Sequence, residues 1–341
     1  MTLLPTELRI AETHRMVEPA LLAALDRLDA DTRRACGYHL GFWDSDGQFP
    51  AEPTTRGKGL RSILAVLSAQ AAQAPPEAGI PAALACELVH NFSLLHDDVI
   101  DGDTERRHRP TVWARFGVPD AILAGDALLS LANEVLAEAD SVHVHVAVRR
   151  LGETVRQLIA GQTADIAFEK RDDVTLAECT SMAADKTAAL LACSASLGAV
   201  LAGAPATLLA ALTTFGRHVG MAFQLTDDLL GIWGDPVRTG KPVLSDLRAR
   251  KKSVPVVAAL TAPTMAAEEL RDLYRRPDPL DEAELARAAS LVEQAGGRGW
   301  TEDEADRQLA AGIRALASAD LPDLVRDDLT RVAGRLRGRS T

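Results

Sequence analysis

Two pairs of adjacent aspartates, each embedded in an otherwise apolar helical run, constrain this chain more than any other feature. The first is His96-Asp97-Asp98-Val99-Ile100-Asp101, entered through Leu94 and Leu95. The second is Asp227-Asp228, preceded by Met221-Ala222-Phe223-Gln224-Leu225-Thr226 and followed by Leu229-Leu230. On a helix, Asp97 and Asp101 lie one turn apart on a shared face. Carboxylates so placed repel one another unless cations sit between them. Hard oxygen donors suit Mg²⁺, which keeps several waters and bridges to substrate phosphates. One such string alone is as readily a solvated helix end. Two of them, each inside a core-like helix, are not both bland surface, and a pair facing each other across a helical bundle makes a metal site.

The rest of the chain supports an all-α architecture. Alternating strand patterns are nearly absent, and helical periodicity runs almost throughout, beginning with the stripe Val17, Leu21, Leu25 and Leu28. The apolar fraction is 47% with only 4% aromatics, so Ala and Leu dominate and favour closely packed helices. Helices are expected over roughly 58–73, 81–101, 119–139, 143–170, 175–203 and 206–233, with loops at 43–56, 102–111 and 234–246. Shorter helices are expected beyond, broken near Pro277–Pro279 and at Gly296-Gly297. No charged residue lies between Lys186 and Arg217, a length that could span a bilayer. Pro205 divides it, however, and two buried helices joined by a Gly203-Ala204-Pro205 turn are expected, with no transmembrane segment. The whole of 1–341 reads as one domain, with a motif-bearing core at about 56–260 and a weaker helical portion at 261–341.

Charge and cysteine usage narrow the class. A net charge of -11 argues against nucleic acid as the partner. Cys36, Cys86, Cys179 and Cys193 form no C-x-x-C pair, and the N-terminal stretch carries charge from Glu7 onward, so a reduced cytoplasmic protein is expected. Basic residues cluster beside the acidic strings. Arg106-Arg107 follow the first. Lys58 and Arg61 open a helix, where the dipole favours anions. Lys186-Thr187 sits between two apolar stretches, and Lys241, Lys251 and Lys252 follow the second string. Each alone is a solvated charge; together they suggest two anionic groups bound separately.

Taken together, these residues resemble the trans-type isoprenyl diphosphate synthases, or polyprenyl synthetases, from about Arg56 to about Leu260. The wording of Leu88-Val89-His90-Asn91-Phe92-Ser93-Leu94-Leu95-His96-Asp97-Asp98 resembles actinobacterial geranylgeranyl diphosphate synthases in particular. The resemblance implies an isoprenoid synthase-type helical bundle with a central active-site cavity, usually a homodimer. It implies Mg²⁺, three ions per site, on Asp97, Asp101, Asp227 and Asp228. Gly57-Lys58-Gly59-Leu60-Arg61 matches the segment that binds isopentenyl diphosphate, joined by His90 and Arg107. Arg106, Lys186, Thr187, Gln224 and Lys241 match contacts to an allylic diphosphate. Gly161-Gln162 matches a G-Q dipeptide of a central helix. The chemistry implied is ionisation of the allylic diphosphate, attack on the cation by the double bond of isopentenyl diphosphate, and loss of a proton.

Two departures from the family pattern stand out. Ser62 replaces a proline, and Gly231 replaces the last aspartate of the second motif. Asp235, two turns beyond Asp227, is expected to supply part of the missing charge, and Gly231→Asp to change the rate only modestly. Product length is expected to be set one to two turns before Asp97. The helical wheel puts Ser93 about 40° and Phe92 about 140° from Asp97. In the family, an aromatic at the position of Phe92 beside a small residue goes with a C20 product, with C15 or C25 and longer the alternatives. Two other readings of the same motifs are a class I terpene cyclase and a non-catalytic subunit of a heteromeric synthase. Cyclases need one diphosphate site rather than two, which counts against the first, and the intact first motif counts against the second.

Overall fold

The computed structural model describes residues 6–49, 59–235 and 243–337. Among the described residues, ten α-helices precede residue 235: α1 (Thr6–Leu25), α2 (Ala30–Leu40), α3 (Leu60–Ala71), α4 (Ile80–Asp101), α5 (Val112–Phe116), α6 (Val118–Ala137), α7 (Val144–Glu169), α8 (Leu176–Ala183), α9 (Ala189–Leu201) and α10 (Ala206–Trp233). Helices at Ser245–Arg248, Val254–Leu260, Met265–Arg275, Glu282–Gln294, Gly297–Ala317 and Asp323–Arg337 follow. The all-α expectation holds. The C-terminal portion is longer-helixed than its breaks suggested, since Gly297–Ala317 alone is 21 residues.

The basic stretch after Asp101 is not an irregular loop. It is a two-stranded antiparallel hairpin, β1 (Glu105–Arg106) with β2 (Arg109–Pro110), and the only sheet among the described residues. Its two turn residues, Arg107 and His108, both take positive φ, 54° and 61°. Such a turn matches strand twist and ordinarily selects Asn-Gly, so no turn signal was visible in Arg-His.

The chain packs as two compact units, the first drawn from Met1–Val155, Cys193–Thr213 and Ala319–Leu329. Its centre is α4, packed on α6 and α3, with α2 and α5 also on α6 and α1 on α3 and α4. Small side chains at Ala82, Ala83, Ala85 and Cys86 let neighbours approach α4, while Leu88 and Leu95 fill the core. Gly102, at φ 69°, ends α4 right after Asp101. Gly198 of α9 lies so near α3 that a Cβ there would sit 2.2 Å from Ala65 O.

The second unit comprises Arg156–Ala192, Thr214–Ser318 and Thr330–Thr341. Thr175 and Glu178 form a capping box that starts α8, and Asp281 and Glu284 another that starts Glu282–Gln294. Val254–Leu260 packs on α8 and on three of the later helices. Ile232, Leu247, Val256, Leu270, Leu285 and Leu291 form one apolar cluster there. Phe168, Met182, Leu225, Val254 and Val257 form another.

Two stretches, Pro76–Asp101 and Leu176–Leu201, are long and apolar enough to cross a membrane; 67% and 78% of an apolar 18-residue window in each is buried inside the fold, as in core helices. The expected division at Pro205 is present, with α9 ending at Leu201 and Gly203 at φ 72°.

The glycine at the α9–α3 contact gives a direct test of packing. Gly198→Ala should lower stability by about 1–3 kcal/mol through overpacking, despite alanine's higher helix propensity. Gly152→Ala, where a Cβ meets nothing within 4 Å, should be neutral or stabilising by up to about 1 kcal/mol. Urea denaturation of both variants measures the contrast.

Candidate active site

In the first unit, the acidic string occupies the last turn of α4. Asp97 is half-buried and Asp101 exposed, while Asp98 is buried, with only 1% of its surface accessible. A buried carboxylate needs a partner, and Arg106 of β1 supplies it. Arg106 Nε donates to Asp98 Oδ1 at 2.7 Å, and its Nη2 lies 2.6 Å from the same oxygen. The hairpin is fixed at its other strand by Arg109. That side chain donates to Tyr38 O and Trp43 O, each at 3.2 Å, and stacks 4.1 Å over the Tyr38 ring. Tyr38 Oη in turn donates to Pro110 O at 2.9 Å.

Arg106 and Arg107 thereby share an electrostatic environment with Arg61, in the first turn of α3, and His90 of α4. Burial, then Arg61, Arg107 and Arg106, push the His90 imidazole well below its ordinary pKa, so it is neutral. Ser62, the departure from proline, is not idle: its hydroxyl donates to Glu87 Oε2 at 3.2 Å. Further along α4, Ser93 Oγ donates to His90 O at 2.8 Å. The Phe92 ring meets His96 edge-on, at 5.1 Å between centroids. His96 Nε2 lies 3.1 Å from Ile122 O of α6. Phe92 is therefore on the α6 side of the helix.

In the second unit, α8 passes into α9 through a π-helical stretch, Ala184–Ala188, that carries Lys186 and Thr187. Such widened turns recur at functional sites. Lys186 Nζ donates to Asp165 Oδ2 at 2.6 Å, and Lys251 Nζ lies 3.9 Å from that oxygen. Burial works to raise the pKa of Asp165, but Lys251 and Lys186 outweigh it and hold the carboxylate ionised. Thr187 Oγ1 donates to Gln224 Oε1. Gln224 Nε2 donates to Asp228 Oδ1 at 2.6 Å, and Val254 N donates to Asp228 Oδ2 at 2.9 Å. Asp227 is exposed. Burial pushes Asp228 up to about 7, with Lys251 opposing and Asp246 adding to the rise. Sequence reading grouped Asp228 with the metal ligands, whereas both its oxygens are given to protein donors. Lys58 and Lys241 lie outside the described residues.

The sequence model of the polyprenyl synthetase family matches residues 50–292. The chain belongs to that family. It is 51% identical over 314 residues to a (2E,6E)-farnesyl diphosphate synthase of Mycobacterium tuberculosis, covering 91% of this chain and 87% of that one. It is 44% identical over 309 residues to a geranylgeranyl diphosphate synthase of the same organism, covering 90% and 88%. A polyprenyl synthetase from Streptomyces coelicolor A3(2) superposes with a TM-score of 0.90 at 49% identity, covering 96% and 98%. A geranylgeranyl pyrophosphate synthase from Corynebacterium glutamicum, solved with isoprenyl diphosphate and magnesium, gives 0.79 at 28%, covering 98% of each. The protein is a prenyltransferase of isoprene biosynthesis.

Two residues packed against these polyprenyl synthetase motifs escaped sequence reading. Asp165 is one; its spacing of four from Gly161 puts both on one face of α7. Gly161 is needed there because a Cβ would lie 2.3 Å from Lys186 N. Asp246 is another. A Cβ on Gly231 would sit 2.4 Å from Asp246 Oδ2, so Asp246, rather than Asp235, is the carboxylate placed against the glycine. Gly231→Asp would set a second carboxylate against that of Asp246. We expect Gly231→Asp to lower kcat/KM at least about tenfold, through displacement and like-charge repulsion. Gly231→Asp combined with Asp246→Gly should recover much of the loss. Strict additivity of the two changes in kcat/KM would show that the sites are independent.

Proposed function

We propose that this prenyltransferase makes geranylgeranyl diphosphate from isopentenyl diphosphate and an allylic diphosphate, using Mg²⁺, as a cytoplasmic homodimer. The observation that carries the reading is the unequal use of the aspartates. Asp98 and Asp228 are consumed in holding the protein together. Asp97, Asp101 and Asp227 are half-buried or exposed. Among the described residues, no three acidic, histidine or cysteine side chains gather into a metal cage. That suits Mg²⁺, which takes one or two carboxylates and completes its shell with phosphate oxygens and water. Asp97 and Asp101, on one face of α4, can supply such carboxylates in the first unit and Asp227 of α10 one in the second, while Asp228 serves as an anchor. Magnesium held there supplies charge stabilisation to the departing diphosphate.

The protein's own groups do the rest. Arg106, Lys186 and Lys241 stabilise negative charge on the leaving diphosphate, and Thr187 and Gln224 complete the contacts on that side. Lys58, Arg61, His90 and Arg107 hold isopentenyl diphosphate, whose double bond attacks the allylic carbon. Apolar helices exclude the water that would trap the cation. The exposed apolar side chains Val118, Ile122 and Leu123 of α6 support a second copy of the chain as partner.

A C20 product is supported by a single aromatic, Phe92, beside the small Ser93. The name of the farnesyl diphosphate synthase relative favours C15 as the second reading. Incubation with each allylic diphosphate, isopentenyl diphosphate and Mg²⁺, then chromatography of the dephosphorylated products, distinguishes the two. It also reveals a cyclic product or no product. Ser93→Phe should shift the main product towards C15, and Phe92→Ala should lengthen it; no movement in either would place the floor elsewhere. Asp97→Ala, Asp101→Ala or Asp227→Ala should each cost at least about 10² in turnover with little change in far-UV circular dichroism. Full activity in chelator would overturn the metal requirement.

A further inference from the structure

Arg109, the first residue of β2, has no place in the assignments above. In the hairpin register it stands directly opposite Arg106, with Arg107 and His108 as the turn between them. Like charges opposite one another across a ladder repel, and here each is drawn to a different helix. Arg106 pairs with Asp98 of α4. Arg109 reaches the end of α2, where Nη1 donates to Tyr38 O and Nη2 to Trp43 O, both at 3.2 Å. Its guanidinium also lies 4.1 Å over the Tyr38 ring. Among the described residues it pairs with no carboxylate.

The surface that receives Arg109 is itself fixed. The Trp43 indole donates to Arg34 O at 2.9 Å and lies against Gly37, where no space remains for a Cβ. Arg33 stacks 4.7 Å over the same ring. Tyr38 meets Phe116 edge-on at 5.2 Å between centroids and donates its hydroxyl to Pro110 O at 2.9 Å. The base of the hairpin is closed without Arg109, since Thr111 N donates to Thr104 O at 3.0 Å and Trp113 Nε1 to Asp103 O at 2.8 Å. What Arg109 fixes is thus the turn end. Arg107 depends on that end. Its side chain makes no hydrogen bond or ion pair among the described residues, whereas Arg106 keeps Asp98. Two successive non-glycine residues at φ 54° and 61° hold that conformation only while their surroundings fix it.

We propose that Arg109 is a positioning residue for isopentenyl diphosphate: its fork, spanning two main-chain carbonyls, holds the turn that presents Arg107. The proposal rests on the assignment of Arg107 to that substrate and of Arg106 to the allylic one. A guanidinium reaches two carbonyls from two nitrogens in a fixed geometry, which the single ammonium of lysine does not reproduce. Charge alone is therefore not enough.

Steady-state kinetics of the intact protein, with each substrate varied in turn, tests this. Arg109→Gln should raise the KM for isopentenyl diphosphate about tenfold, with kcat and the allylic KM within about threefold of wild type. Arg109→Lys should behave like Arg109→Gln, because it restores charge but not the fork. In an Arg107→Gln background, Arg109→Gln should raise the KM no further, having nothing left to act through. A wild-type KM in Arg109→Gln, rescue by Arg109→Lys, or additivity with Arg107→Gln overturns the positioning role. So does a fall in kcat with both KM values raised alike, which marks a loosened fold. If Arg109→Gln does not fold, Tyr38→Phe carries the same test. It removes only the bond to Pro110 and should give a smaller rise in the same KM, again lost in the Arg107→Gln background; a wild-type KM there overturns the proposal. An unchanged KM for isopentenyl diphosphate in Arg107→Gln overturns the pocket assignment instead.

Discussion

Asp98 and Arg106 meet where α4 ends, and the geometry of the first unit's polar site follows from that pair. The Asp98 side chain is 2% exposed and the Arg106 side chain 25%. Removing one partner from such a pair strands a buried charge, at a cost of about 3–5 kcal/mol. The hairpin is therefore bound to α4 at Arg106 and to α2 at Arg109. Between these two fixed points, Arg107 and His108 are held in left-handed conformations that cost non-glycine residues roughly 1–3 kcal/mol each. The strain is tolerated because both flanks are anchored.

The second unit solves the same problem with different donors. Asp228 is held by an amide side chain and by the main-chain N–H of Val254 at the start of a helix. That N–H belongs to the first turn, where no intrahelical acceptor exists, so the carboxylate anchors α10 and caps Val254–Leu260 at once. In both motifs the second aspartate is structural and the first is turned outward. A residue pair that looks uniform in sequence is thus divided by burial into an anchor and a candidate ligand. Close approach of backbones provides the rest of the rigidity, with Gly161 against Lys186 and Gly220 against Ala188 leaving no space for a side chain. Polar groups on such helices are held more tightly than loops could hold them.

Helix positions were legible in the sequence because periodicity, Pro205 and the turn glycines are local signals. The expected spans 81–101 and 206–233 meet the observed Ile80–Asp101 and Ala206–Trp233 within a residue. The first motif and its basic neighbours were legible because charge inside an apolar helix is conspicuous. What escaped were features that depend on tertiary distance. The π-helical stretch at Lys186 has no composition signature. The Asp165–Lys186 pair spans 21 residues, and Asp246 meets Gly231 from well along the chain. The division of labour between Asp227 and Asp228 depends on burial, which two adjacent identical residues cannot reveal. The hairpin was missed because Arg-His is a turn forced by its flanks rather than one chosen by its own residues.

A last consequence concerns how the two anionic substrates are told apart on the proposed reading. Arg106 and Lys186 each hold a carboxylate, Asp98 and Asp165, at 2.6 Å. A cation so paired is well oriented but partly neutralised, and Arg106, with Asp97 and Asp103 also acting on it, gives little net attraction for an anion. The allylic diphosphate therefore depends on added cations to overcome carboxylate repulsion. The pocket of Arg61, His90 and Arg107 is built the other way. Burial and Arg106 lower the pKa of Arg107, with Glu87 and Asp98 opposing only through longer-range attraction. His90 there stays neutral because it is buried and because Arg61, Arg107 and Arg106 crowd it with positive charge. Such a pocket attracts a diphosphate without metal. Metal dependence thus becomes a sorting device: one diphosphate is admitted by fixed cations, the other only together with ions that also activate it, so ionisation is confined to the substrate whose carbon–oxygen bond must break.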